Sequence, residues 1–192
     1  MKRIIVLIIA LIMSLSIIGC SSQKDDDKAS VEDDAMNAQE EYSEHDFGAK
    51  SALEKEDFTI EEMLNYAIQD EYLARQEYEI IMEEFGEQKP FSNIIKAEET
   101  HIEMLKEIYE KYEYDIPEDN AIDYAVLPDS LEKAFDIGVQ AEIDNIAMYE
   151  KFLESEMPDD IREVFIKLRD GSIKHLAAFE RGVRGNGQGR QS

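Results

Sequence analysis

The sequence predicts an all-α fold, a four-helix bundle built as two antiparallel hairpins joined by a long crossover. Three observations carry this expectation. Four segments repeat apolar residues at helical spacing between recognisable start and stop residues. No alternating pattern of the kind a half-buried strand needs competes with them. The connections run short, long, short, which pairs the first helix with the second and the third with the fourth. Composition agrees: 192 residues suit one domain with appendages, and 43% hydrophobic against 34% charged residues suffices for a core beneath a charged surface.

The first helix has the clearest start. Thr59 and Glu62 have capping-box spacing, in which each side chain satisfies a free backbone N–H of the first turn; Phe58 and Met63 can staple the entry and Gly86 supplies the stop. The second opens at Pro90, whose missing N–H is no loss in a first turn, and runs to about Tyr112, with Pro117 preventing anything longer. The third starts after Pro128-Asp129-Ser130 and runs to about Glu156; the fourth starts at Asp159 behind Pro158 and ends near Gly182. Residues between Gly86 and Pro90, and Met157 with Pro158, leave room only for hairpin turns. The stretch from Tyr112 to Pro128 is different. At roughly 3.3 Å per residue it can run the length of a helix of roughly 26 residues rising 1.5 Å each.

Residues before this region point to export. Lys2 and Arg3 precede an apolar run from Ile4 to Ile18, shorter than a comfortable membrane span, and Ile17-Ile18-Gly19-Cys20 resembles the lipobox at which bacterial lipoproteins are acylated on cysteine and cut before it. The expectation is a signal peptide over 1–19, a lipid on Cys20 that ties the protein to the membrane from outside the cytoplasm, and an acidic flexible tether over 20–57 reaching on the order of 35 Å. An uncleaved single-span anchor is the alternative. His45 falls in this tether, where a solitary histidine is ordinarily incidental. The bundle takes 58–182, and 183–192, rich in Gly and Arg, read as a flexible tail. With Cys20 the sole cysteine, no disulfide can form within the chain. The balance of 20 Lys and Arg against 45 Asp and Glu repels phosphate backbones and excludes nucleic acid as a partner, whereas cations are attracted.

The inward stripes contain residues that a core ordinarily rejects. Glu71 sits among Leu64, Ala67, Ile68, Ala74, Tyr78, Met82 and Phe85. Glu98 and His101, three apart and therefore on one face, share a stripe with Ile94, Leu105, Ile108 and Tyr112. Glu142 interrupts Phe135, Gly138, Ile146, Tyr149 and Leu153, and His175 interrupts Val164, Leu168, Ala178 and Phe179. Glu71, His101 and Glu142 lie near mid-helix and His175 about a turn beyond, so the set falls in one layer whichever way each helix runs. A buried carboxylate is costly unless neutralised, paired or bound to a cation. Apart from Arg75 beside Glu71 the stripes offer no buried base, and mixed carboxylate and imidazole ligands suit divalent transition metals. Singly, each residue reads better as a solvated glutamate or a satisfied core histidine than as a ligand; the conjunction points to metal.

These residues resemble the ferritin-like superfamily. Glu71-Tyr72-Leu73-Ala74-Arg75-Gln76-Glu77-Tyr78 resembles the first metal-ligand helix of rubrerythrins, Glu98-Glu99-Thr100-His101 is a Glu-x-x-His motif, and Glu142 stands where a third helix gives one Glu. The Ser-x-x-His-Leu-x-x-Phe run beginning at Ser172, with Phe91-Ser92-Asn93, is similar to an uncharacterised exported ferritin-like family, domain of unknown function 2202. The resemblance implies a ferritin-like bundle with Glu71, Glu98, His101, Glu142 and His175 as metal ligands. It also implies a departure. Ser172 replaces the Glu of the second Glu-x-x-His, so a second ion would bind less tightly, with His175 either an extra ligand or the poor half of a second site. Ser172 could orient a water for which Gly171 and Gly138 make room. Tyr78 and Tyr149, each two turns past a ligand, could hydrogen-bond above the site or serve as ordinary core tyrosines.

The functional expectation is metal binding outside the cytoplasm: iron as one or two ions, with manganese or zinc as alternatives. Oxidase or peroxide-handling chemistry would need an external electron donor, because no cysteines are available for an iron–sulfur centre. The competing readings are non-catalytic metal capture or buffering at the cell surface, and a metal-free helical lipoprotein binding an envelope partner.

Overall fold

The computed structural model describes residues 47–188. The signal segment, Cys20 and His45 lie outside the described residues. Every regular element among these residues is helical: α1 (Gly48–Glu54), α2 (Ile60–Phe85), α3 (Phe91–Tyr112), a 3-10 turn (Ala121–Asp123), α4 (Leu131–Leu153) and α5 (Asp159–Gln188). No helix among them is long and apolar enough to cross a membrane.

The helix ends follow local chemistry. Thr59 and Glu62 form the capping box, the Thr59 side chain accepting from the Glu62 N–H at 3.2 Å and the Glu62 carboxylate from the Thr59 N–H at 2.7 Å. Gly86 ends α2 at φ 81°, a conformation with little cost for glycine alone. Ser130 caps α4 by accepting from the Lys133 N–H at 3.3 Å. Beyond α4, Arg162 donates to the carbonyls of Leu153 at 2.9 Å and Ser155 at 2.7 Å, which satisfies the exposed end of that helix from the start of α5.

Side-chain pairs fix the topology. His101 of α3 meets Glu71 of α2 while Tyr109 meets Asn65, so higher numbers in one helix face lower numbers in the other and the two are antiparallel. The same test makes α4 antiparallel to α2, through Tyr78 with Glu142 and Tyr149 with Glu71. It makes α5 antiparallel to both α4 and α3, through Phe135 with Phe179, Phe152 with Phe165, Phe91 with Phe179 and Tyr112 with Asp160. Because α3 and α4 both oppose α2, they run in the same sense. The connection 113–130 therefore returns along the helices. It is pinned to α2 by an Arg75–Asp119 ion pair and by Glu77, whose Oε1 accepts from the Val126 N–H at 3.2 Å. Arg75, expected beside Glu71, is thus turned outward to the crossover and lies over the Tyr72 ring at 5.5 Å.

The core is split. One apolar cluster gathers Met63, Leu64, Ile68, Leu105, Tyr109, Tyr149, Phe152 and Phe165 with their neighbours; the other gathers Tyr78, Ile81, Phe91, Ile94, Phe135 and Phe179. Along every long helix the glutamates and histidines fall between the two, so they form a polar layer with apolar packing above and below.

Two boundaries differ from expectation. The stretch 47–54, expected within the flexible tether, is the packed helix α1, with Phe47, Ala49 and Ala52 buried. A helix of seven residues is not stable by itself. Its free ends are satisfied by other elements: Asp70 Oδ1 accepts from the Ala49 N–H at 2.8 Å, Gln69 Oε1 from the Gly48 N–H at 3.3 Å, and Lys151 of α4 donates to the carbonyls of Leu53, at 3.0 Å, and Lys55. Phe47 stacks on Tyr124 of the crossover at 4.1 Å. At the other end, α5 continues through the region expected to be a tail. Gly182 is no stop signal: a Cβ there would come within 2.2 Å of the Phe135 ring, so close packing accounts for the glycine. In a helix that reaches Gln188, His175 is central rather than a turn off-centre.

Candidate metal centre

All five expected ligand residues lie in the polar layer. Glu71, Glu98 and Glu142 are buried, and His101 and His175 are 7% and 8% exposed. His101 Nδ1 lies 2.9 Å from Glu98 Oε2 and 3.1 Å from Glu71 Oε2. His175 Nδ1 lies 3.1 Å from Glu98 Oε1 and 3.5 Å from Glu142 Oε1. Glu98 therefore turns one oxygen toward each histidine and joins two triads, Glu71–Glu98–His101 and Glu98–Glu142–His175, whose ligand atoms lie within 4.8 Å of one another in each. The two imidazoles stack, with centroids 5.6 Å apart.

Two tyrosines close the layer from opposite ends. Tyr149 donates to Glu71 Oε1 at 2.7 Å and Tyr78 to Glu142 Oε1 at 3.1 Å, each crossing between α2 and α4. Glu71 is held by Oε1 and turns Oε2 to His101, whereas in Glu142 the oxygen bonded to Tyr78 is also the one nearest His175.

The charges are mutually dependent. Burial, followed by the Glu98 charge, raises the Glu71 carboxyl to about 7. Burial likewise raises Glu142. For Glu98 burial is outweighed by His101 and His175, which hold it below the usual carboxylate range. Burial alone would lower both histidines, but Glu71 and Glu98 bring His101 up to about 10, and Glu142 and Glu98 bring His175 up to about 10. Without a cation, imidazolium protons are what make three adjacent carboxylates tolerable.

The residues fit a divalent cation by their chemistry and by what they leave unsatisfied. Glu142 Oε2, His175 Nδ1 and Asn145 Oδ1 are buried and have no hydrogen-bond partner among the described residues, a condition that is rare in folded proteins and calls for a ligand, water or ion. Carboxylate oxygens with imidazole nitrogens suit iron, manganese or zinc.

Residues 60–192 match a family described as an uncharacterized protein domain, DUF2202. The chain belongs to that family. No curated protein matches it. The chain is similar to a solved structure from Methanococcus jannaschii DSM 2661, described as hypothetical protein MJ0754, at 26% identity and a TM-score of 0.58, over 69% of this chain and 85% of that one.

In this DUF2202 domain several expectations about supporting residues change. Ser172 is buried, and its Oγ donates at 3.2 Å to the Leu168 carbonyl of its own helix. The space beside Gly171 is filled by the His101 ring, since a Cβ there would lie 2.6 Å from Cε1, and the space beside Gly138 by the Phe179 ring at 2.7 Å. Neither glycine makes room for a water. Tyr78 and Tyr149 are tied to the site rather than serving only as core packing. Asn145, 4% exposed and one turn past Glu142, was not anticipated. Its signal in the sequence was a polar residue three after a candidate ligand on the same helix face.

Proposed function

We propose that this DUF2202 chain is a ferritin-like metal-binding protein, tethered outside the cytoplasm by a lipid on Cys20, whose buried glutamates and histidines hold iron, with manganese or zinc as competitors. The observation that carries this reading is the sharing of Glu98 between two buried Glu/His triads at mid-height of the bundle. The arrangement of four long helices, each antiparallel to its neighbours with a long return between α3 and α4, supports the ferritin-like assignment.

Glu71, Glu98, His101, Glu142 and His175 would hold the metal. Bound iron would supply one-electron redox chemistry toward oxygen or peroxide. The chain's own contribution is positional. Tyr149 and Tyr78 fix the outer carboxylates, and the apolar clusters above and below keep water from the layer. His101 and His175 are 7% and 8% exposed while the three glutamates are closed off, which supports access to the layer from the side of α3 and α5. Turnover would draw electrons from an external donor.

Metal analysis of the mature chain, prepared without a histidine tag and loaded with ferrous iron or manganese, tests the reading. Stoichiometric metal is expected, and a content near zero would eliminate it. Stopped-flow mixing of the ferrous protein with oxygen or peroxide then separates an oxidase from a capture protein: iron that stays ferrous and bound assigns capture.

A further inference from the structure

We infer that the two triads are unequal, and that Glu98, Glu142 and His175, joined by Asn145 as a further oxygen donor, take the first divalent cation. The inference deepens the metal-binding reading and rests on it.

The asymmetry lies in hydrogen bonding. In the triad of Glu71, Glu98 and His101 the facing atoms are engaged: Glu71 Oε1 with the Tyr149 hydroxyl at 2.7 Å, Glu71 Oε2 with His101 Nδ1 at 3.1 Å, and that same nitrogen with Glu98 Oε2 at 2.9 Å. A cation entering there must separate these pairs before it gains any bond. In the other triad the contacts are looser. His175 Nδ1 is 3.1 Å and 3.5 Å from two carboxylate oxygens but lacks hydrogen-bond geometry to either, and Glu142 Oε2 has no partner. The three unpartnered buried side-chain atoms found among the described residues are these two and Asn145 Oδ1. A cation there gains Glu142 Oε2 and Asn145 Oδ1 without breaking a hydrogen bond, and has only the His175 proton to displace.

Asn145 belongs to this half by its position on α4. It follows Glu142 by three residues and precedes Tyr149 by four, on the buried face that carries both. Residues three apart on a helix have Cβ atoms about 5–6 Å from one another, which puts the Asn145 amide beside Glu142 on the buried face. Its carbonyl oxygen is a neutral donor of the kind that divalent ions accept beside carboxylate and imidazole. The resulting set is three oxygens and one nitrogen. The replacement of a bridging glutamate by Ser172 would suggest that the His175 half is the poor one. The hydrogen bonding says the reverse.

Anaerobic titration of the mature chain with cobalt(II), followed by visible absorption and by equilibrium dialysis, tests the order. Two equivalents of unequal affinity are expected. His175→Ala should abolish the tighter one and His101→Ala should leave it, losing the weaker. Asn145→Leu should weaken the first equivalent by about tenfold or more, and Asn145→Asp should retain it. Circular dichroism confirms that each variant is folded, and Asn145→Ala replaces the leucine variant if that one is not. Loss of the tighter equivalent in His101→Ala, or wild-type affinity in the Asn145→Leu or Asn145→Ala protein, overturns the inference while leaving the metal site intact. A wild-type protein that binds no cobalt, manganese or iron overturns the metal-binding reading itself.

Discussion

The Tyr149 hydroxyl donates to Glu71 Oε1 at 2.7 Å, and seven residues before Tyr149 on the same helix Glu142 accepts at 3.1 Å from Tyr78, itself seven residues after Glu71. The two bonds form a cross between α2 and α4, so each helix orients the other's carboxylate. Hydrogen bonds to a charged group contribute about 1.5–3 kcal/mol, and a buried acceptor left without its donor keeps its desolvation cost. Tyr149→Phe is therefore expected to destabilise the metal-free protein by about 2 kcal/mol. Tyr78→Phe, which removes the longer bond, should cost less. Urea unfolding of the two variants beside the wild type checks the order, and variant midpoints equal to that of the wild type would show that the cross contributes only packing.

Gly171 lies against the His101 ring, where a Cβ would sit 2.6 Å from Cε1 and 2.7 Å from Nε2. Gly171→Ala must move the His101 imidazole, whereas Gly138→Ala must move only the Phe179 ring. Both overpack a buried position and should cost about 1–3 kcal/mol. They should differ in metal binding: Gly171→Ala is expected to weaken the cation held with His101, and Gly138→Ala to leave affinity near wild type once the fold is intact. Metal titration beside thermal unfolding of the two proteins separates the effects.

The contrast between what could and could not be read from the sequence is a contrast between local and tertiary causes. Glu71, Glu98 and Glu142 were visible because a carboxylate inside an apolar stripe violates the burial pattern of its own helix, and mid-helix residues share a height in any topology. The capping box at Thr59 is likewise local. The turn of the Glu98 oxygens toward two histidines and the crossed tyrosines depend on the rotation of one helix against another, which a single stripe does not encode. Arg75 looked like a partner for Glu71 because the crossover that carries Asp119 has no helical pattern of its own. Ser172 looked free to hold a water, but a serine inside a helix can bond back to the carbonyl four residues earlier, and this one does.

Helix α1 is the clearest case of structure supplied by other elements, and it makes a prediction about domain boundaries. A chain begun at Phe58, where the sequence suggests the bundle starts, lacks the buried Phe47, Ala49 and Ala52 and uncovers Asp70 and Lys151. Burying one large apolar side chain contributes about 1.5–3 kcal/mol, so the shortened chain should be at least about 2 kcal/mol less stable than one begun at residue 47. Lys151→Met in the longer chain should reproduce part of that loss, because it removes the donor to the α1 carbonyls and leaves the apolar contacts. Denaturant midpoints of the three proteins decide the matter; identical midpoints would mean that α1 contributes nothing to the fold.

Protonation gives the metal-free and metal-bound forms opposite responses to pH. His101 and His175 titrate at about 10 in the folded protein against 6.5 when free, so between these values the folded state holds protons that the unfolded chain has released. The stability they contribute is complete below about pH 6.5 and is lost as pH rises toward 10, by up to about 1.4 kcal/mol per pH unit for each proton held in excess. Glu71, raised from 4.5 to about 7, acts in the same direction over a lower range, since its folded form retains a proton that the unfolded chain has lost. A metal needs the imidazole nitrogens that those protons occupy, so binding must release protons and tighten as pH rises. Thermal unfolding from pH 6 to 9 should show the metal-free midpoint falling while the gap to the metal-loaded midpoint widens. A gap that narrows toward pH 9, or calorimetric titration in buffers of different ionisation heat that detects no proton release at pH 7, would show that these histidines are not the groups that give way to the cation.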